Sequence, residues 1–177
     1  MRTFPLPLAT ALATTLLLTA CSTSEKAGDD VENADRPSTS ACALDDLGVE
    51  VGAGAAPAAG DTGNVTVTLT NRGARCTLKG FPAVDLLADD GTTPVPTEEA
   101  AGAQPLTLVK DATTSFTVTY VRGEAGSERS LAVRKASFTL PGATAAAHEL
   151  TWSYGEVAYK GEGGLDASVS GFESSAG

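Results

Sequence analysis

Few residues in this 177-residue chain have the type and spacing for catalysis. The single histidine, His148, stands beside Glu149, and no G-x-S-x-G surrounds a serine, so a base-activated nucleophile would have to be assembled from distant positions. By strand alternation His148 reads as a surface or turn residue. The acid pairs Asp45-Asp46, Asp89-Asp90 and Glu98-Glu99 supply the carboxyls that glycoside cleavage needs. Neighbours on a strand point to opposite faces, however, and Asp89-Asp90-Gly91 is a turn signal first. Three cysteines and one histidine, without CxxC spacing or a D-x-D-x-D-G loop, make a poor ligand set for zinc, copper, haem or calcium. No metal and no cofactor is expected. Lys and Arg number 12 against 22 Asp and Glu, a formal charge of −10 that opposes polyanions and argues against nucleic acid as a partner.

The N-terminus carries the most specific signal. Met1 and Arg2 form a positive end, and Phe4 to Ala20 is uncharged, with Leu6, Leu8, Leu12 and Leu16-Leu17-Leu18 as its apolar body. This is a signal-peptide pattern, too short and too proline-interrupted for the ~20 apolar residues of a spanning helix. Its end, Leu18-Thr19-Ala20-Cys21, resembles the lipobox of bacterial lipoproteins, in which an aliphatic residue and two small ones precede a cysteine whose sulfur takes diacylglycerol. The resemblance implies a signal over 1–20, cleavage before Cys21, and lipid attachment on the extracytoplasmic face of the cell membrane. Each buried CH₂ contributes about 0.8 kcal/mol, so two acyl chains anchor lastingly. Loss of Arg2 with the signal leaves 11 basic residues against 22 acidic, −11, and anionic lipid repels such a chain. The lipid itself is then the anchor. From Ser22 to Ala41 the chain is almost wholly small and polar, a composition that cannot bury enough surface to order itself. About 20 flexible residues reach roughly 25 Å, so 21–41 reads as a lipidated tether.

Apolar residues begin to recur at Cys42-Ala43-Leu44, which opens a domain over 42–177. Val65, Val67 and Leu69 alternate with threonines up to Asn71-Arg72-Gly73; Phe116, Val118 and Tyr120 alternate with Thr117 and Thr119; Ala136, Phe138 and Leu140 repeat the pattern before Pro141-Gly142. Leu150, Trp152 and Tyr154 make a fourth set, Val157 and Tyr159 a fifth. Shorter candidates lie at 47–51, 83–87, 106–109, 131–133 and 165–169. No window has helical apolar spacing. The reading is all-β: an antiparallel, immunoglobulin-like β-sandwich of about seven to nine strands, with a barrel as the alternative. Asp89 to Gln104 reads as a long loop with at most an edge strand. With Cys21 taken by lipid, Cys42 and Cys76 form an even pair in an oxidising compartment, and a disulfide between them closes a loop of about 35 residues, stabilising by about 4 kcal/mol. Trp152 and Tyr154 share a face with Leu150. They read as core, or alternatively as an exposed aromatic strip that binds a sugar or peptide.

The run Cys76-Thr77-Leu78-Lys79-Gly80-Phe81-Pro82-Ala83-Val84-Asp85-Leu86-Leu87, with Asp90-Gly91 after it, resembles the signature of the family called domain of unknown function 4232. Cys42-Ala43-Leu44, the segment from Gly60 to Asn71 and Leu140-Pro141-Gly142 resemble its pattern as well. The likeness covers about 42–145 and implies an actinobacterial-type lipoprotein or secreted protein, with an extracytoplasmic β domain and a Cys42–Cys76 bridge. It transfers no catalytic residue. Members often carry a second cysteine pair toward the C-terminus, which this chain lacks, so its last strands must be held differently.

These features converge on a non-enzymatic, lipid-anchored envelope domain that binds or scaffolds an envelope protein or glycan. Two other readings are a hydrolase of envelope glycan or peptide working through carboxylates alone, and a solvating spacer. An enzyme requires titratable groups converging in a concave site, whereas a binding module can use a sheet face or loops.

Overall fold

The computed structural model describes residues 40–98, 104–161 and 163–174, which belong to one compact unit, Ser38–Gly177. The signal over 1–20, Cys21 and the tether up to residue 39 lie outside the described residues. The strands are Ser40–Ala41 (β1), Leu47–Gly54 (β2), Thr62–Asn71 (β3), Cys76–Leu78 (β4) and Ala83–Ala88 (β5). Next come Gly91–Pro94 (β6), Leu106–Leu108 (β7), Thr113–Val121 (β8), Ser130–Leu131 (β9) and Lys135–Thr139 (β10). The last are His148–Thr151 (β11), Val157–Lys160 (β12), Gly164–Leu165 (β13), Ala167–Val169 (β14) and Glu173–Ser174 (β15). A 3₁₀ turn, Leu44–Asp46, precedes β2.

Alternation sets the two large sheets. β3 and β8 each bury every second residue, so that Val65, Val67 and Leu69 face the core beside Thr114, Phe116, Val118 and Tyr120, while Thr66, Thr68, Thr117 and Thr119 lie on the other face. The two strands pair antiparallel from Thr62↔Val121 to Thr70↔Thr113, with β2 on the far side of β3 and β14 and β15 along the other side of β8. The second sheet runs β11-β10-β5-β6 and turns Val84, Leu86, Ala136 and Phe138 inward. Residues of both sheets enclose a void of only about 10 Å³, so the layers interdigitate closely. The result is a β-sandwich and not a barrel. Smaller sheets, β1-β4-β7 and β13-β12-β9, complete it.

The runs expected around Val67, Val118, Phe138 and Val157 are present as strands. β1 and β15 are two-residue pairings that leave no period in the sequence, the candidate at 131–133 pairs only through β9, and that at 165–169 divides into β13 and β14. Within the segment read as a long loop, β6 is an edge strand and Thr97 bridges to Val169. β11 stops at Thr151, so the expected Leu150-Trp152-Tyr154 strand is cut short. There the chain turns back: Trp152 N–H donates to Arg134 O at 3.0 Å, and the indole N–H donates to Gly155 O at 2.6 Å. Gly155, with φ +91° and Arg122 pressed against it, occupies the position that only glycine adopts without strain.

Cys42 and Cys76 are disulfide-bonded, Cα–Cα 4.8 Å, fastening the chain just after β1 to the first residue of β4. The C-terminal strands are held without a second bridge. Val169 is fully buried, Ser170 Oγ accepts from Thr117 N–H at 2.9 Å, and Phe172 meets Phe116 edge-on at 5.9 Å.

Candidate functional site

The described residues singled out for chemistry fall on separate elements of the fold. His148 lies on a strand, not in a turn, because the β10–β11 ladder extends to Phe138↔His148; it is half-buried with its ring 5.2 Å from that of Phe138. No Asp or Glu is buried among the described residues. Asp45 and Asp46 lie in the 3₁₀ turn, and Glu99 is outside the described residues. Among the described residues no cluster of His, Cys, Asp or Glu is placed to hold a metal, and no helix is long and apolar enough to cross a membrane. Trp152 is 6 % exposed, edge-on to Tyr120 at 5.1 Å and to Tyr154 at 5.0 Å, so the exposed strip imagined for Trp152 and Tyr154 does not form. Trp152 fills the core and Tyr154 is half-buried beside it. Trp152 keeps the core-facing phase of Leu150, and the turn after Thr151 brings Gly155 O to its indole N–H.

A different aromatic residue sits between concave surfaces. β12 pairs with β9 through Val157↔Leu131 and Ala158↔Ser130, and Tyr159 N–H donates to Arg129 O at 2.9 Å just beyond that ladder. Tyr159 is half-buried and flanked by two depressions of about 350 and 320 Å³, both of which it lines together with Ser130. Each is within the range of small-ligand sites, and both are open, which suits a polymer segment better than an enclosed molecule.

The first depression has Arg122, Glu124, Ser127 and Arg129 in its wall. Gly123 is buried there because a Cβ would come within 2.3 Å of Ser130 Oγ. Its N–H donates to Glu156 O at 2.8 Å, and Glu156 Oε1 accepts from Gly126 N–H at 3.0 Å, which fixes the β8–β9 loop. Arg122 is committed to structure, donating from Nη1 to Ala56 O at 2.8 Å and Pro57 O at 3.0 Å. Arg129 is exposed. The second depression is acidic, with Asp89, Asp90 and Glu128. The turn expected at Asp89-Asp90-Gly91 is present as the tip of the β5–β6 hairpin, where Ala88 pairs with Gly91, and because strand alternation has no hold inside a turn both acids line one surface. Asp89 Oδ2 accepts from Arg134 Nη2 at 2.8 Å; that hydrogen bond, and then the carboxylate charge, raise the guanidinium above its ordinary pKa in an exposed pair of small energetic worth. The arrangement offers an aromatic face, hydroxyls, a cation on one side and acids on the other. Such a surface is complementary to polar groups of either sign.

The sequence pattern placed Tyr159 on a strand but gave no sign of this setting, since its walls come from residues 59–60, 88–90, 121–132 and 158–159. The nearest signal was the Asp89-Asp90 turn.

A family profile described as "Domain of unknown function (DUF4232)" matches residues 42–171, well over half of the chain. The chain belongs to that family. No curated protein and no solved structure matches it. The fold explains why two stretches of the DUF4232 domain go together: Gly80, with φ +113°, faces Pro141, whose Cβ lies 3.4 Å from where a Cβ on Gly80 would be. Pro82 is buried beside that contact, so Gly80-Phe81-Pro82 and Leu140-Pro141-Gly142 form one packed corner.

Proposed function

We propose that this protein is a lipid-anchored envelope domain on the extracytoplasmic side, and that it binds an envelope polymer, glycan or peptide, without transforming it. Leu18-Thr19-Ala20-Cys21 supports the anchor. The observation that carries the binding reading is Tyr159 between its two depressions, with Arg129 on one side and Asp89, Asp90 and Glu128 on the other. A polymer segment laid across the ring stacks on it and meets hydroxyls and both charge signs along its length. The acids lie at the exposed surface, which favours binding over the carboxylate-only hydrolysis that needs two acids of unequal protonation across a cleft.

Two measurements test this. Cys21→Ala should move the protein from the membrane fraction to an unprocessed or released form, and mass spectrometry of the parent should find a diacylated N-terminus. A parent protein found wholly in the medium with an unmodified N-terminus refutes the anchor. For binding, the full chain should co-sediment with purified, insoluble cell wall; Tyr159→Ala, which also loses packing against the core and is assayed below its lowered unfolding midpoint, should weaken that at least tenfold, and Arg129→Ala, at an exposed position, should weaken it at unchanged thermal stability. Equal sedimentation of parent and variant refutes the site.

A further inference from the structure

β2 is a terminal strand of the five-stranded sheet, and which of its backbone groups are unpaired follows from parity. Asn71 N–H donates to Ala112 O, and Asn71 O accepts from Asp111 N–H, so odd-numbered residues of β3 turn their backbone groups toward β8. Even-numbered residues face β2, and Arg72 N–H donating to Asp46 O continues that ladder. The register therefore joins Gly48, Glu50, Gly52 and Gly54 to β3 and leaves the N–H and C=O groups of Val49, Val51 and Ala53 aimed at the open edge. The side chains of these three lie on the core face, across from Leu69, Val67 and Val65. The cover over that face runs out along the strand: Leu47 is buried, Val49 half-buried and Val51 40 % exposed. Exposed edges are ordinarily blunted by lysine, proline, a bulge or an inward-pointing charge. β2 has no lysine or proline, its ladder to β3 is unbroken, and its one charge, Glu50, points to the other face.

We propose that this edge pairs with the same edge of a second copy of the chain, antiparallel, about a two-fold axis at Val51. In that register Val51 faces its own counterpart, Val49 faces Ala53 of the second copy, and Glu50 faces Gly52. All three outward residues then exchange both of their hydrogen bonds, and the exposed valines cover one another. The neighbouring registers are poorer. Moving the axis to Glu50 sets two carboxylates directly opposite and leaves Ala53 without a partner among the three, and moving it to Gly52 leaves Val49 without one. An isologous pairing of this kind closes on itself, so it gives a dimer and not a fibre.

The test uses the full chain in its own membrane under mild oxidation. Directly opposed residues in hydrogen-bonded positions have Cα atoms about 5.5 Å apart, within disulfide reach. Val51→Cys should therefore give a reducible band of doubled mass that the parent chain does not show. In this register Ala53 is offset from its own counterpart by about 13 Å, so Ala53→Cys should give none, whereas Val49→Cys combined with Ala53→Cys should restore the band. Val51→Pro removes an N–H that is unbonded within one copy, so it should abolish the dimer on a native gel while the monomer still unfolds cooperatively, with a midpoint that no longer depends on protein concentration. Three results overturn the proposal: no band from Val51→Cys, equal bands from Val51→Cys and Ala53→Cys, which is collision, or a band whose mass shows a different protein.

Discussion

Replacing Asn71 by alanine should cost this domain a large share of its stability. Asn71 ends β3 and is fully buried. Its Nδ2 donates to Ala74 O at 2.9 Å and to Leu108 O at 3.1 Å, and its Oδ1 accepts from Gly73 N–H at 3.0 Å. One side chain thus ties the β3–β4 turn to the end of β7, while its backbone bonds hold the loop entering β8. Asn71→Ala removes those three side-chain bonds, worth about 1 kcal/mol each net, and leaves a buried carbonyl of Leu108 without that donor at a further cost of about 1 to 2 kcal/mol. The sum is about 4 to 5 kcal/mol, against a total of about 5 to 15 for an ordinary domain. Urea unfolding of the disulfide-intact protein, followed by the fluorescence of its only tryptophan, Trp152, reads the change directly. Asn71→Asp keeps the volume and one acceptor but loses both donors and buries a charge, so it should cost at least as much at neutral pH. A loss below about 1 kcal/mol for the alanine variant would refute the claim that this side chain organises the two loops.

Three further outcomes follow from the same structure. Cys42→Ser or Cys76→Ser should lower the unfolding free energy by about 4 kcal/mol through the freed loop, and the unfolded parent should show neither thiol to a titrant until reduced; both thiols titrating at once contradicts the bridge. Tyr120→Phe removes a hydroxyl that donates to Tyr154 O at 2.7 Å and accepts from Ala56 N–H at 3.3 Å, so it should cost about 1 to 2 kcal/mol in the same assay, and a neutral result shows that water replaces it. Gly63→Ala places a Cβ 2.6 Å from Tyr120 Cε1 and 2.7 Å from the backbone nitrogen of Ala56, so it should destabilise by about 1 to 3 kcal/mol, whereas Gly52→Ala, with open space around it, should be nearly silent.

The sequence alone determined what depends on local period and on residue chemistry. Alternation of Val65, Val67 and Leu69 with threonine is a property of the strand itself, so the inward faces, the all-β class and the sandwich were legible before any contact was known. Three cysteines allow three pairings, and reading Cys21 as the lipid-bearing residue singled out the Cys42–Cys76 bridge that the structure contains. The tertiary structure decided everything that depends on which segments become neighbours. Period says which way a side chain points, but not which strand lies beside it, and it has no meaning inside a turn. For that reason Trp152, expected on a strand, closes a turn with Gly155, and Asp89 and Asp90, legible as a turn, line one surface with Glu128, a neighbour the sequence did not disclose. Tyr159 gains its setting only because segments far apart in the chain meet around it. The open edge of β2 likewise exists only because no further strand of the chain covers it among the described residues: Val51 has the same apolar side chain as Val67 opposite it, and only position at the rim of the sheet leaves one exposed and the other buried.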